Sequence, residues 1–290
     1  MRDTDIRARR IAGFGVNSPD AARLTGFYET AFGARHVSSE RLTATQVERS
    51  MGVGGGALRH TLQLGDQPLD ILQFDTPGSA YPRPTSPYDT TFQHVAIVVS
   101  DMELGLSHLQ RTPGWTAIST RGPQRLPQRS GGVTAFKFQD PDGHPLELLE
   151  FSAHAVPQHW KERTKQGIFL GIDHSAISVR NTAASTAFYQ SIGFTVAAQT
   201  LNHGAEQAYL DGVPHPQVEV TALAIDGSTP HLELLCYRGD ANRPRQVVAS
   251  NAVAATRIWL AAEDLAGRSD MDFAKRLIVD PDGHHLLLVS

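Results

Sequence analysis

Short apolar runs alternate with longer amphipathic segments along the whole chain. From Arg10, the apolar run IAGFGV passes through a polar turn into AARLTGFYETAFG, whose apolar spacing predicts a helix ending at Gly33. Asn17 or Ser18 is expected to cap this helix. The runs LRHTLQL and LDILQF then predict two strands joined by a turn. The order strand, helix, strands defines one structural unit.

The same order recurs further along the chain. FQHVAIVVS, DMELGLSHLQ, VTAFKF and PLELLEF form a second unit, and IDHSAISV, NTAASTAFYQSIG, VEVTALAI and HLELLCY form a third. The segment 76–90, with four prolines, predicts a linker between the first two units. Repetition of one supersecondary unit predicts an α+β protein of four modules. The modules cover about residues 10–76, 91–152, 170–238 and an abbreviated 255–290.

An Asp-Pro-Asp-Gly turn precedes the last strand of the second and fourth units. It occurs in QDPDGHPLELLEF, residues 139–151, and in VDPDGHHLLLVS, residues 279–290. Proline presets one backbone dihedral and glycine supplies the positive one, so the motif predicts a tight turn into a strand. The strand after the first copy carries a carboxylate, Glu147, in its middle. A buried carboxylate without a partner is unfavourable, so Glu147 needs a functional or structural reason.

Polar residues occupy corresponding positions in the repeated strands. Because alternate side chains of a strand share a face, one polar residue in the first strand and one in the last can converge on a cavity. The first strands of units two and three carry His94 and His174, and their last strands carry Glu147 and Glu233. The same register in units one and four selects a mixed set: Gly13, Asp70, Arg257 and Leu287. Only the two central units combine a histidine with a glutamate.

The composition is typical of a globular protein that acts on a small molecule. The chain has 290 residues, of which 40% are hydrophobic and 19% charged, a length that suits two domains. A net charge of -4 gives no basic footprint for nucleic acid, and no apolar run reaches the length of a membrane helix. One cysteine, Cys236, excludes an intramolecular disulfide, and the N-terminus lacks the apolar segment of a signal peptide. A cytoplasmic location is therefore expected.

The chain resembles the vicinal oxygen chelate superfamily, which contains glyoxalase I, fosfomycin and bleomycin resistance proteins and extradiol ring-cleaving dioxygenases. The resemblance rests on the His-x-x-Ile first strands, the Phe-Tyr helices that end near glycine, and the Asp-Pro-Asp-Gly turns, and it covers nearly the whole chain. It implies βαβββ modules that pair into two cupped mixed sheets, with glyoxalase-like halves at residues 1–155 and 156–290. Because cupped sheets in this superfamily often associate, a homodimer is a candidate assembly.

The resemblance also implies a ligand set. In the superfamily a divalent metal is held by residues from the first and last strands of paired modules, which here are His94, Glu147, His174 and Glu233. If neighbouring units pair, these residues divide between two sites. If units two and three pair, all four share one site, and units one and four form a metal-free half. The second pairing is favoured because it explains why the complete His and Glu sets occur in the two central units.

Two imidazoles and two carboxylates suit Fe²⁺, Mn²⁺, Zn²⁺, Ni²⁺ or Co²⁺. By resemblance to glyoxalase I, such an ion would polarise a carbonyl or enediolate while Glu147 or Glu233 moves a proton, so a lyase or isomerase is the first hypothesis. Ring-cleaving dioxygenases use two histidines and one carboxylate, and the additional Glu233 argues mildly against them. A metal-free binding protein of the bleomycin-resistance kind is the other alternative.

Candidate substrate-binding residues lie outside this set. Arg121 and Arg125 belong to a loop rich in glycine and proline that could close over a carboxylate or phosphate. Tyr209 could stack on a planar substrate. Other histidines are interpreted as surface residues: His203, His215 and His231 in polar or proline-rich surroundings, the first and last of which could reach a cavity mouth, and His144, His284 and His285 beside the turns.

Overall fold

The computed structural model describes residues 7–239, 245–246, 248–262 and 276–289. Within them, strands and helices form the mixed α+β fold that the sequence predicts. The strands are β1 (Ala8–Asn17), β2 (Arg35–Leu42), β3 (Ala57–Leu64), β4 (Gln67–Phe74), β5 (Gln93–Val99), β6 (Thr116–Ala117), β7 (Gln124–Arg125), β8 (Thr134–Gln139), β9 (Pro145–Glu150), β10 (Phe169–Ser178), β11 (Thr195–His203), β12 (Gln217–Ala224), β13 (His231–Tyr237), β14 (Arg257–Ala262), β15 (Arg276–Val279) and β16 (His285–Val289). The helices are α1 (Ala21–Phe32), α2 (Ala44–Met51), α3 (Met102–Gln110), α4 (Gln158–Lys161), α5 (Thr182–Ser191) and α6 (Ala205–Asp211). Residues 263–275 of the predicted fourth unit lie outside the described ranges.

The first helix begins later than expected. Asp20, not Asn17 or Ser18, is the N-cap of α1, and its side chain accepts a hydrogen bond from the Arg23 backbone N–H. The chain is still extended at Asp20, with φ of -145°, and the helix starts at Ala21, so Asn17 and Ser18 lie too far before it to be the N-cap. Ser18 instead accepts a hydrogen bond from the Asp20 N–H and donates one to Asp142. The predicted C-terminus is correct, because Gly33 ends the helix with φ of 64°.

The strands form two mixed sheets that each combine distant parts of the chain. The seven-stranded sheet has the order β15-β16-β14-β1-β4-β3-β2, and the nine-stranded sheet has the path β11-β12-β13-β10-β5-β9-β8-β6, with β7 paired to β8. The predicted units two and three thus share the nine-stranded sheet, which confirms the favoured pairing. Both sheets draw on both sides of residue 155, and the division of the chain into halves there stays a prediction.

In each sheet, one antiparallel strand pair joins the two units. In the nine-stranded sheet β5 pairs with β10, and in the seven-stranded sheet β1 pairs with β14. Every residue of β5 is buried, and nine of the ten residues of β10 are buried as well. Strands that are covered on both faces usually have continuous apolar sequences. The buried polar residues His94 and His174 are exceptions to this pattern.

The Asp-Pro-Asp-Gly turns connect the two sheets. Asp140 accepts hydrogen bonds from three successive backbone N–H groups of its own turn and one from the hydroxyl of Tyr28 on α1. Asp280 does the same in the second copy, with Tyr189 on α5 as the hydroxyl donor. In each case the tyrosine's helix and the turn adjoin strands of different sheets, so the two motifs hold the sheets together.

The seven-stranded sheet has an apolar cluster where the nine-stranded sheet has a cavity. The cluster packs around Trp259 and Leu287 and includes residues of α2. The helix α2 was not predicted from the sequence. A capping box fixes the start of α2: the Thr43 side chain accepts from the Gln46 N–H, and the Gln46 side chain accepts from the Thr43 N–H. No helix among the described residues is long and apolar enough to span a membrane.

Candidate functional site

The register of β5 and β10 brings the two predicted histidines together. His94 lies opposite Ala176 and His174 lies opposite Ala96, and the two imidazole ring centroids are 5.7 Å apart. Ala96 also pairs with Glu147 on β9, and Ala176 pairs with Glu233 on β13. All four side chains predicted from the strand register line one cavity.

His94 and Glu147 form a close contact that falls short of a well-aligned hydrogen bond. The Nε2 atom of His94 lies 2.8 Å from Oε2 of Glu147, but the geometry is not aligned, and neither ring nitrogen of His94 has a hydrogen-bond partner among the described residues. Burial lowers the pKa of His94, which favours the neutral ring. Burial would raise the pKa of Glu147, but His94 and Lys137 lower it, so the carboxylate is ionised. A neutral imidazole beside a buried carboxylate is a ready donor pair for a cation.

His174 is oriented by hydrogen bonding behind it. Its Nδ1 atom lies 3.0 Å from Oδ2 of Asp173, whose other oxygen accepts a hydrogen bond of 2.8 Å from Trp160 Nε1. The Nε2 atom therefore faces the cavity, 3.7 Å from Oε2 of Glu233. Burial alone would lower the pKa of His174, but the carboxylates of Glu233 and Asp173 raise it to about 9. A carboxylate that fixes the far nitrogen is the arrangement common to metal-binding histidines.

His231 belongs to this cluster, although its polar surroundings in the sequence predicted a surface position. Its Nε2 lies 3.6 Å from Oε1 of Glu233 and its Nδ1 lies 3.7 Å from Oδ2 of Asp173. It lines the cavity, and 24% of its side chain is exposed. This agrees with the expectation that His231 could reach a cavity mouth. The period of two along β13 was the available signal, because His231 is two residues before Glu233 and so shares its face.

The cavity has a polar floor and apolar walls. Its volume is about 300 Å³, a size that suits a small ligand. The floor carries the histidines and carboxylates, and the walls come from both central units: Leu126, Val133, Leu149 and Phe151 on one side and Ala198, Val218, Val220 and Ala222 on the other.

Lys137 is a cavity residue that was not predicted from the sequence. It lies opposite Glu147 in the β8–β9 pair, is 4% exposed and donates a hydrogen bond of 2.7 Å from Nζ to Oδ1 of Asp211. Burial would lower the pKa of Lys137, but Asp211 and Glu147 raise it, so the ammonium stays charged. The sequence carries little signal for this pair, because its two members are 74 residues apart.

The predicted substrate-binding residues lie apart from the cavity lining. The Arg121 guanidinium stacks on the Tyr209 ring at 4.2 Å. Arg125 is an exposed residue of β7, while its neighbour Leu126 lines the cavity. Tyr209 lines a separate open pocket near His203 and His215. A role for Arg121, Arg125 or Tyr209 in substrate binding stays a prediction.

Three histidines that were expected to be exposed are buried. His144 donates or accepts at both ring nitrogens, through Asp140 and the Val253 carbonyl, and is 2% exposed. His284 contacts the Ser178 carbonyl through Nε2, and His285 is also buried. The expectation was wrong because these partners come from distant segments, which cover the turns.

The corresponding positions in the seven-stranded sheet do not form a metal site. A Cβ atom on Gly13 would lie 2.7 Å from the Pro68 carbonyl oxygen, so a histidine does not fit there. Arg257 is buried and donates to neutral acceptors, including Asn17 Oδ1 at 2.6 Å. Asp70 pairs with Arg59 at 2.9 Å, and the apolar Leu287 completes the set.

The donor set of the cavity fits a divalent transition ion. Ligand atoms of His94, Glu147 and His174 lie within 4.8 Å of one another, and a second such group consists of Asp173, His174 and His231. Ligands bonded at about 2.1 Å to one ion are roughly 3 to 3.5 Å apart, so small side-chain shifts would close the first group around an ion. The unpartnered nitrogens of His94 support this fit, since buried polar atoms normally have a partner.

Comparisons with known proteins agree with this architecture. Residues 10–148 match the family model described as Glyoxalase/Bleomycin resistance protein/Dioxygenase superfamily. A mutant of glyoxalase I from Zea mays has 16% identity and a TM-score of 0.62, with 97% of this chain and 92% of that chain covered. A candidate dioxygenase from Bacillus subtilis has 11% identity and a TM-score of 0.54, with 97% and 85% covered. At identities this low, the comparisons with solved structures show only that the folds are similar. No curated protein matches the chain.

Proposed function

Because residues 10–148 match the family model of the Glyoxalase/Bleomycin resistance protein/Dioxygenase superfamily, we propose that the chain is a divalent-metal-dependent lyase or isomerase of the glyoxalase kind. Its substrate is a small molecule that chelates the metal through two adjacent oxygens. His94, Glu147, His174 and Glu233 hold the ion, whose identity among Fe²⁺, Mn²⁺, Zn²⁺, Ni²⁺ and Co²⁺ is left open by an N/O donor set.

One observation carries the proposal. His94 and Glu147 lie 2.8 Å apart without a well-aligned hydrogen bond, and His174 directs its Nε2 atom at the same space. Two buried imidazoles and an ionised carboxylate that face each other without satisfying each other are expected to bind a cation.

The proposed chemistry is the transfer of a proton between adjacent carbons. A divalent ion bound at the site would act as a Lewis acid on the substrate carbonyl oxygen. Glu233 lies outside the compact group of His94, Glu147 and His174, and 23% of its side chain is exposed to the cavity. In the proposal Glu233 removes a proton from the carbon beside the carbonyl and returns it to the neighbouring carbon, so no net proton is consumed. Glu147, which is 7% exposed and belongs to the compact group, is proposed as a ligand rather than the base.

Metal content tests the site directly. Protein grown with supplied transition metals is expected to contain one ion per chain, and Glu147→Gln is expected to lose it because the amide is a much poorer ligand. Glu233→Gln is expected to weaken retention as well. Asp70→Asn, at the corresponding position of the seven-stranded sheet, is the matched control and should keep the ion. A wild-type protein without metal would contradict the proposal and favour a metal-free binding protein.

Solvent exchange tests the reaction without knowledge of the natural substrate. Metal-loaded protein in D₂O is expected to exchange the carbon-bound protons next to the carbonyl of hydroxyacetone, as measured by NMR. Glu233→Gln should slow this exchange by a factor of about 100 or more, the usual contribution of a positioned base. Exchange that is unaffected by this variant would exclude Glu233 as the base.

A second candidate function is a ring-cleaving dioxygenase. It is favoured by one feature: the compact group contains two histidines and one carboxylate, His94, His174 and Glu147, with Glu233 outside it. This donor set is typical of non-haem Fe²⁺ oxygenases. Protein loaded anaerobically with Fe²⁺ and then given catechol and O₂ would consume oxygen only if this alternative is correct.

A further inference from the structure

Lys137 is a buried cation with few partners. It is 4% exposed and lines the cavity beside Glu147. An ammonium group has three N–H donors, yet the only acceptor found for them among the described residues is Asp211, at 2.7 Å. Burying a charged group is unfavourable unless its hydrogen-bonding capacity is used, so Lys137 has capacity for a further acceptor in the cavity.

Asp211 is held in place independently of Lys137. Its Oδ2 atom accepts hydrogen bonds from Gln207 Nε2 at 2.7 Å and from the Tyr237 hydroxyl at 3.0 Å. The segment around Asp211 is also fixed, since the Leu210 carbonyl accepts a hydrogen bond of 2.9 Å from the Ser119 hydroxyl. Asp211 therefore positions the Lys137 ammonium at the cavity rather than depending on it.

We propose that Lys137 binds a carboxylate of the substrate, so that the substrate is a small carboxylic acid whose vicinal oxygens chelate the metal. This inference rests on the proposed function of the same cavity. Glu147, Asp173 and Glu233 also line the cavity, and their negative charges disfavour a phosphate dianion relative to a singly charged group. The apolar walls accommodate the uncharged part of the molecule.

Two probes separate the carboxylate from the chelating oxygens. Hydroxypyruvate and hydroxyacetone share the same hydroxyketone, and they differ in a carboxylate against a methyl group. In calorimetric titrations of the Mn²⁺-loaded protein, hydroxypyruvate is expected to bind at least about tenfold more tightly than hydroxyacetone. This is the difference expected for a hydrogen bond to a charged group. Lys137→Met should remove this preference, so that hydroxypyruvate and hydroxyacetone bind with similar affinity. Lys161→Met, at an exposed lysine, is the matched control and should retain the preference.

Asp211→Asn gives a result that a merely structural role of Lys137 would not produce. The asparagine oxygen can still accept the hydrogen bond that positions Lys137, but the competing negative charge is gone, so the ammonium should bind hydroxypyruvate more tightly than in the wild type. A preference that survives Lys137→Met, or one that is reduced by Asp211→Asn, would overturn the inference. If Lys137→Met does not fold because Asp211 is left buried without its cation, the Lys137→Met/Asp211→Asn double variant keeps the charge balanced and should show no preference.

A titration with Mn²⁺ alone separates this inference from the proposed function. If the wild type binds Mn²⁺ but Lys137→Met keeps the preference, the inference fails and the metal site stands. If the wild type binds no Mn²⁺ but binds hydroxypyruvate in a manner that requires Lys137, the metal-dependent function fails and the carboxylate site stands.

Discussion

Asp173 determines which nitrogen of His174 is available to a metal. Its Oδ2 atom lies 3.0 Å from His174 Nδ1, and Trp160 holds its other oxygen. Because one imidazole proton is thereby fixed on Nδ1, a metal ion that displaces the proton on Nε2 meets a lone pair directed into the cavity. Asp173 also carries negative charge close to the proposed ion, which strengthens binding beyond the effect of geometry.

Asp173→Asn is expected to weaken metal binding by a factor of about 10 to 100, the usual effect of removing such a carboxylate partner. The amide oxygen can still accept the Nδ1–H hydrogen bond, so the fold should be retained. Calorimetric titration with Mn²⁺ measures the change, and the exposed Asp66→Asn is the control. An unchanged affinity would mean that Asp173 has no part in orienting His174.

The two Asp-Pro-Asp-Gly turns act as matched connectors between elements. Tyr28 of α1 donates a hydrogen bond of 3.2 Å to Asp140, and Tyr189 of α5 donates one of 3.1 Å to Asp280. Both hydroxyls are buried, and burial together with the neighbouring aspartate raises the pKa of each tyrosine. The same contact thus occurs twice, once for each pair of a Phe-Tyr helix and an Asp-Pro-Asp-Gly turn.

Tyr28→Phe and Tyr189→Phe are each expected to lower the free energy of unfolding by about 1 to 2 kcal/mol, since a hydrogen bond to a carboxylate is lost while packing is kept. Urea unfolding measures the change. Tyr209→Phe, outside these contacts, should have little effect. Two variants with clearly unequal losses would show that the copies are not equivalent connectors.

The strand register could be deduced from the sequence because it depends on local rules. His94 and His174 each lie seven residues before a helix cap, Asp101 or Asn181, and alternation along a strand then fixes the face of each side chain. Lys137 and its partner Asp211 could not be found in this way, because their contact depends on how β8 meets α6. The burial of His144 by Val253 has the same origin, since the two residues are 109 positions apart.

At the scale of the whole molecule, one sheet has a cavity and the other has a packed core. The nine-stranded sheet has polar residues on its cupped face, whereas the seven-stranded sheet packs Trp259, Leu287 and residues of α2 at the equivalent place. Gly13 leaves no space for a ligand side chain beside Pro68. These differences account for a single proposed metal site in a chain that repeats its units.

Asp70 is the carboxylate retained in the packed sheet, and burial there raises its pKa to about 6 although Arg59 lowers it. Because the folded protein then binds a proton more strongly than the unfolded chain, ionisation of Asp70 reduces stability as the pH rises from about 4 to 6. Asp70→Asn removes this effect. The difference in free energy of unfolding, variant minus wild type, should therefore be larger at pH 7 than at pH 4 by about 2 to 3 kcal/mol. Urea unfolding at both pH values measures the difference, and a difference that is constant with pH would mean that Asp70 titrates normally and that Arg59 compensates for its burial.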